Sequence, residues 1–125
     1  MKLFTIEEAN ALLPSVREIL TRIQRSRRRL TTFRRHAKLA AEGAEQGGGG
    51  MEGGSIYAIV LTDFTKEMSE LEDLGVQLKD FDRGLVDFPS LRDGRVVLLC
   101  WQLGEGDELE WWHDMEAGFG GRTPL

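Results

Sequence analysis

The stretch Lys79–Trp101, which reads KDFDRGLVDFPSLRDGRVVLLCW, decides the fold of this chain of 125 residues. Its β-branched and aromatic residues favour strands on both sides of Asp93-Gly94, a dipeptide typical of two-residue hairpin turns. The second half is apolar on both faces from Val96 to Trp101, which predicts a central strand covered on both sides. Because proline cannot donate a hydrogen bond to a neighbouring strand, we expect Pro89 at a strand end or a bulge.

Two further strands are predicted beside this pair. Short turns rich in glycine and aspartate separate four segments with a two-residue period. The predicted strands begin at Val76, Leu85, Arg95 and Leu109, and the last one ends at His113. Short turns between consecutive strands predict a four-stranded antiparallel meander.

The N-terminal third has the pattern of a long amphipathic helix. Thr5 and Glu8 have the spacing of a capping box, which predicts the helix start. Pro14 lacks an amide hydrogen and clashes with the preceding turn, so we expect a kink or break near Leu13, with Pro14 opening the next helix. Apolar residues then recur at heptad spacing to about Glu42.

A glycine-rich segment, residues 45–54, is predicted to be a flexible loop, and it lacks the Gly-Lys-Ser/Thr of a phosphate-binding loop. Ser55 is a suitable N-cap for a second helix over residues 55–74, and Gly75 suits its C-terminal end. We therefore expect one α+β domain over residues 1–125. Its predicted architecture is a long antiparallel helical hairpin packed on a four-stranded antiparallel meander.

Charge is divided unevenly along the chain. Residues 1–44 carry a net charge of +6 and residues 45–125 a net charge of −11. A basic helix near an acidic remainder explains this division better than a nucleic-acid site, because the total of −5 opposes a polyanion. No apolar run reaches the ~20 residues of a membrane helix. The lone Cys100 has no internal disulfide partner, so we expect a cytoplasmic protein.

The apolar stripe near the start of the long helix is wider than one partner helix requires. Apolar surface left over marks an interface, so we expect a homodimer through the long helices. The alternative is that the second helix and the sheet cover the stripe within one chain. The stripe comprises Ala9, Leu12, Leu13, Val16, Ile19, Leu20 and Ile23.

The turns also predict a polar cluster on the sheet. A two-residue turn at Asp93-Gly94 places Asp87 opposite Cys100, and a tight turn at Glu105-Gly106 places Trp111 opposite Cys100. His113 then shares a face with Asp87 and Cys100. These residue types are an acceptable set of three zinc ligands, or a cysteine–histidine pair for nucleophilic catalysis. A buried thiol, a structural ion pair and a histidine that ends a strand explain the same three residues better than either site does.

A second candidate set carries positive charge. Lys79, Arg83 and Arg122, with Trp101 nearby, are candidate contacts for a small anion between the meander and the C-terminal tail. Structural ion pairs with nearby aspartates explain the same residues.

Several motifs resemble an uncharacterised family of small prokaryotic cytosolic proteins, known only as a domain of unknown function. They are Phe4–Asn10 with Leu12-Leu13-Pro14, Leu78-Lys79-Asp80, Arg83–Pro89, Leu99–Trp101, Gly104-Glu105, Trp112-His113 and Gly118–Leu125. The resemblance covers nearly the whole chain and implies no enzyme class, cofactor or catalytic residue. We expect a non-enzymatic interaction or assembly module; the alternative is a small-molecule or metal-dependent site centred on Asp87, Cys100 and His113.

Overall fold

The structure, a computed structural model, describes the backbone of residues 1–42 and 50–125 and the side chains of residues 1–42 and 54–125. Two helices precede a sheet: α1 (Ile6–Glu42), α2 (Gly50–Asp73), β1 (Gln77–Asp80), β2 (Leu85–Arg92), β3 (Arg95–Gln102), β4 (Trp111–Asp114) and β5 (Thr123–Pro124). The strands are ordered β1-β2-β3-β4-β5, and all four neighbouring pairs are antiparallel. None of the helices within the described ranges is long and apolar enough to cross a membrane.

The helix α1 is continuous through Pro14, so the predicted break is wrong. Leu13 and Val16 on either side of the proline are fully buried, and their packing holds the helix together across the missing hydrogen bond. The predicted capping box is present: the Thr5 amide donates to Glu8 Oε1 (2.9 Å), and the Glu8 amide donates to Thr5 Oγ1 (3.0 Å).

The helix α2 begins at Gly50, earlier than the predicted start at Ser55. Once later turns have formed, each added residue gains a hydrogen bond, and this outweighs the low helix propensity of glycine. The rest of the predicted loop, residues 45–49, lies outside the described residues.

The two helices run antiparallel and form what we call the helical pair. Contacts between them proceed in opposite directions along the chain: Arg22 with Glu70, Ser26 with Glu67, and Phe33 with Tyr57. Near the sheet, the apolar stripe of α1 is buried within the single chain, with Ala9, Leu13 and Val16 at 0 % exposure and Ile19 at 7 %. Apart from the half-buried Leu12, the stripe leaves no apolar surface for a partner, so the surplus width that led us to predict a dimer is not present.

One face of the sheet completes the same core. Val86 and Phe88 of β2 and Leu99 and Trp101 of β3 are buried against the stripe. This face lies opposite the one on which the predicted register places Asp87, Cys100 and His113.

The β2–β3 turn has the predicted register. Asp93 and Gly94 both have positive φ, 52° and 78°, as a type I′ turn requires. Arg92 consequently lies opposite Arg95, and Asp87 lies opposite Cys100.

Pro89 lies inside β2, so its predicted place at a strand end or bulge is wrong. The ladder between β1 and β2 reaches only to Asp87, and beyond it the N-terminal segment covers this edge of β2. The Phe4 amide donates to the Pro89 carbonyl (2.7 Å), which lies on the same side of the strand as the proline nitrogen. The missing amide hydrogen therefore faces away from β3, where proline is tolerated.

The sheet has five strands instead of the predicted four. The C-terminal residues Thr123 and Pro124 pair with Trp112 and Trp111, and the Leu125 amide donates to the Glu110 carbonyl (2.9 Å). The predicted tight turn at Glu105-Gly106 is also wrong, because residues 103–110 form a longer connection. Side chains take the place of ladder bonds there: Glu105 accepts from the Gln102 amide (2.8 Å), and Asn10 accepts from the Leu109 amide (2.6 Å).

Candidate metal centre

The face of the sheet that points away from the helices carries Asp87, Cys100 and His113 on three neighbouring strands. Asp87 in β2 lies directly opposite Cys100 in β3, and Cys100 lies opposite Trp111 in β4. His113, two residues beyond Trp111, points to the same face. One donor atom from each of Asp87, Cys100 and His113 lies within 4.8 Å of the other two. The structure thus brings together the three residues that the predicted register placed on one face.

These three side chains are as deeply buried as the apolar core. Asp87 and His113 are each 2 % exposed, and Cys100 is 0 % exposed. Buried polar groups are costly unless they are paired, so each of them needs a partner inside the protein.

The orientation of His113 is set by a backbone carbonyl. Its Nδ1 lies 2.8 Å from the Asp114 carbonyl oxygen, which can only accept, so Nδ1 carries a hydrogen. Its Nε2 then points to Asp87 Oδ1 at 3.0 Å. One hydrogen is shared between Nε2 and the carboxyl group.

The Cys100 thiol is held in its protonated form. Burial, and next the negative charge of Asp87, raise the pKa of Cys100 to about 12, while the nearby Arg122 acts in the opposite direction. A protonated, fully buried thiol is a poor nucleophile, which weakens the catalytic interpretation.

The C-terminal segment, residues 118–125, covers this face of the sheet. Arg122 Nη2 donates to both oxygens of Glu105, at 2.7 and 2.8 Å, and lies 3.5 Å from the Cys100 carbonyl oxygen. The Arg122 guanidinium stacks on Trp111 at 5.0 Å and on Phe119 at 4.6 Å, and Arg83 stacks on Phe119 at 4.3 Å. The polar cluster is therefore closed off from solvent without an α-helix on this side; the segment contains only one 3-10 turn, Phe119–Gly121.

The predicted anion contacts do not form one pocket. Trp101 points into the opposite face of the sheet, and its Nε1 donates to the Gly106 carbonyl (3.0 Å). Lys79 is exposed on β1, and Arg122 is already paired with Glu105. Of the four residues, only Arg83 and Arg122 come together, since both contact the ring of Phe119. Trp101 is separated from them because side chains alternate between the two faces of a strand.

Sequence reasoning missed Glu105 and Phe119 as neighbours of the cluster. Glu105 follows the end of β3 and binds Arg122 from the far end of the chain. No spacing rule joins two residues so far apart, although the glycines around Glu105 indicate a turn at that point.

The donor set suits a transition metal better than a hard cation. Thiolate and imidazole groups bind zinc well and a carboxylate completes a mixed set, whereas magnesium and calcium take oxygen ligands. In metal-binding histidines the nitrogen that does not coordinate commonly donates to a backbone carbonyl or carboxylate, as Nδ1 of His113 does here.

A family model described as an uncharacterized conserved protein, DUF2203, matches residues 2–125, so the chain belongs to that family. No curated protein and no solved structure matches the chain. Membership assigns no activity, and the function has to be argued from the site.

Proposed function

We propose that this DUF2203 protein holds one zinc ion between Asp87, Cys100 and His113. The observation that carries the proposal is the convergence of three different ligand groups, with donor atoms within 4.8 Å of one another, beneath the surface. A bound cation gives all three buried groups a partner at once. The ion joins three strands at one point, so the proposed role is structural and non-enzymatic.

The distances leave room for a zinc ion. Zinc–ligand bonds of ~2.0–2.3 Å place neighbouring donor atoms roughly 3.3–3.8 Å apart in a tetrahedral site. The Nε2–Oδ1 distance of 3.0 Å is slightly shorter than this, and the donor atoms otherwise lie within 4.8 Å of one another, up to about 1 Å farther apart than in such a site. Small side-chain rotations around the fixed backbone are enough to accommodate the ion.

Metal binding replaces hydrogens that the site already holds. The hydrogen shared by His113 Nε2 and Asp87 leaves, and so does the thiol hydrogen of Cys100. Nδ1 of His113 keeps its hydrogen because it donates to the Asp114 carbonyl. A thiolate ligand requires reducing surroundings, which supports the expected cytoplasmic location.

Cobalt titration tests the proposal. After dialysis against a chelator, the protein is titrated with Co²⁺, whose bond to a thiolate absorbs in the near ultraviolet, and then with zinc as competitor. We expect one ion per chain, with the band absent in Cys100→Ala and binding strongly weakened in His113→Gln.

His36→Gln is the matched control, because His36 is the chain's other histidine and lies exposed on α1. It should bind cobalt as the wild type does. Circular dichroism confirms that each variant is folded. A folded wild type without the cobalt band, or equal loss of binding in His36→Gln, would refute the zinc site.

Self-association is a second candidate function, favoured by the end of the helical pair that lies away from the sheet. Leu39 is 59 % exposed, and Ile56 and Ile59 of α2 are 45 % and 61 % exposed. Arg25, Arg28 and Arg29 of α1 pair with no carboxylate of the described residues. Exposed acidic residues flank β4 in the sequence: Glu108, Glu110 and Glu116.

The proposed partner is a second copy of the chain, and we expect a homodimer through the long helices. A twofold arrangement can bring the basic helix α1 of each copy near the acidic residues that flank β4 of the other. It also covers the exposed apolar residues of the helical pair. Nucleic acid is not the expected partner, because the net charge of −5 opposes it.

Sedimentation at micromolar concentration tests the dimer. Ile59→Asp should give a folded monomer, whereas Leu91→Asp, which changes a residue 60 % exposed on the sheet, should leave the dimer intact. A monomeric wild type would contradict the proposal.

A further inference from the structure

We infer that the C-terminal segment is the closure of the proposed zinc site, and that the ion pair between Arg122 and Glu105 must open before the metal enters or leaves. The inference rests on the proposed zinc site for its ligand, but the closure itself rests on contacts of the C-terminal segment alone.

The ion pair at this closure is the most shielded arginine–carboxylate pair among the described residues. Arg122 and Glu105 side chains are 10 % and 19 % exposed, and both carboxylate oxygens of Glu105 accept from Arg122. The pairs Arg17–Asp107, Arg27–Asp82 and Arg95–Asp114 each have both side chains at least 40 % exposed. A shielded, doubly bonded pair holds its partners in place more firmly than an exposed pair does.

Glu105 connects the closure directly to the strand that carries Cys100. Its Oε1 accepts from the Gln102 amide at the end of β3 (2.8 Å) as well as from Arg122. Arg122 also approaches the Cys100 carbonyl oxygen at 3.5 Å. Movement of Arg122 therefore uncovers the backbone immediately beside a proposed ligand.

Aromatic stacking extends the closure across the sheet. Trp111, which lies opposite Cys100, contacts Arg122; Arg122 contacts Phe119; and Phe119 contacts Arg83 in the turn between β1 and β2. The four side chains thus span the face from β4 to the start of β2. Cation–π contacts of this kind are strongest where water is excluded.

The C-terminal segment has few other attachments, so it can open without unfolding the core. The strand β5 has two residues, both exposed, and one further backbone bond joins Leu125 to Glu110. Gly118, where the segment begins, has a φ of 63°, which suits a sharp change of direction. Local opening of such peripheral segments requires much less free energy than global unfolding.

The release rate of zinc tests the closure. Zinc-loaded wild type, Glu105→Gln and Arg122→Gln are mixed with excess chelating dye, and release is followed by absorbance. We expect release to be ~10–100-fold faster in both variants, the range typical of changes in outer-sphere partners. Arg122→Lys, which keeps the charge but loses the planar stacking, should fall between them and the wild type.

Arg27→Gln is the matched control. Arg27 also combines a carboxylate partner, Asp82 at 2.9 Å, with an aromatic contact, Phe81 at 4.6 Å, but it lies on the helix side of the sheet. Its release rate should equal that of the wild type. If all three variants of the closure also release zinc at the wild-type rate, the closure is refuted.

Labelling of the Cys100 thiol in metal-free protein gives a readout that does not depend on zinc. The Cys100 side chain is fully buried, so faster labelling in Arg122→Gln reports that the C-terminal segment opens more readily. Faster labelling in a protein that binds no zinc would support the closure and refute the zinc site. Zinc binding with unchanged release and unchanged labelling would refute the closure and leave the zinc site intact.

Discussion

The two faces of the sheet are buried to the same depth but by different parts of the chain. On one face, Phe88 and Trp101 are 0 % and 1 % exposed beneath the helical pair. On the other, Cys100 and His113 are 0 % and 2 % exposed beneath the eight C-terminal residues and the stacked side chains. Apolar packing covers the first face, and ion pairing, stacking and hydrogen bonds cover the second.

The comparison shows which face can respond to a ligand. Apolar side chains need only fit together, so the helix side contributes stability whatever the solvent contains. The polar groups of the other face need partners, and the identity of those partners can change. A variant on the first face should therefore lose stability by the same amount with or without zinc, and a variant on the second should not.

Phe88→Ala is expected to have the largest effect. Phe88 is fully buried and packs edge-on against Phe4 at 5.4 Å between ring centres, so its loss leaves a cavity in the main core. We expect the free energy of unfolding to fall by about 3–5 kcal/mol, equally with and without zinc. Urea denaturation measures it, and Leu91→Ala on the same strand should change stability by no more than about 0.5 kcal/mol. If zinc strongly changed the stability that Phe88→Ala loses, the contrast between the two faces of the sheet would be wrong.

In metal-free protein, Asp87→Ala should have a smaller effect than Phe88→Ala, and zinc should enlarge it. Without metal the change removes the hydrogen-bond partner of His113 Nε2, at a cost of about 1–3 kcal/mol. With zinc at a hundred times the dissociation constant, the wild type gains about 2.7 kcal/mol that the variant does not. Thermal unfolding with and without zinc gives both values. If the stability difference between wild type and variant is the same with and without zinc, the polar face does not respond to the metal, and the contrast between the two faces is wrong.

Thr5→Ala is expected to have the smallest effect, because it alters the start of α1 without changing the core. Loss of this N-cap should cost about 1 kcal/mol in urea denaturation. Loss of 3 kcal/mol or more would mean that capping, and not packing, holds α1 on the sheet.

The same variant should change the response to acid. The backbone hydrogen bond from Thr5, followed by its side-chain bond, lowers the pKa of Glu8 below its ordinary 4.5. A lowered pKa in the folded state stabilises the protein above pH 4.5 and loses that contribution as the pH falls further. Alanine keeps the backbone amide that donates to Glu8, so Thr5→Ala should lose only the side-chain part of this effect. We expect a slightly shallower loss of stability below pH 4.5, measured by denaturation at successive pH values.

The polar cluster was predictable because hairpin turns determine register. Asp93-Gly94 requires positive φ at both residues, and this places Asp87 opposite Cys100 without further information. The position of His113 followed from a turn at Glu105-Gly106 that does not form, although the register Cys100–Trp111 is the same. The pairing agrees because the register across the longer connection is centred on the same two residues, Glu105 and Gly106.

Other features were not predictable from local patterns. Arg122 and Glu105 meet only after five strands have assembled, and β5 exists only because β4 offers a free edge. Pro14 and Pro89 follow local rules in isolation, but core packing of α1 and the free edge of β2 override them. The surplus width of the α1 stripe was attributed to a partner, whereas the sheet covers it.

The sequence by itself determined the α+β class, the capping box at Thr5 and Glu8, the type I′ turn and the face on which Asp87, Cys100 and His113 lie. Each of these depends on residues close in sequence, where backbone geometry permits few alternatives. Only the tertiary structure decided that the three side chains are buried and that Arg122 reaches Glu105. These depend on contacts between distant segments, whose free energy is realised only when the helical pair, the sheet and the C-terminal segment are assembled together.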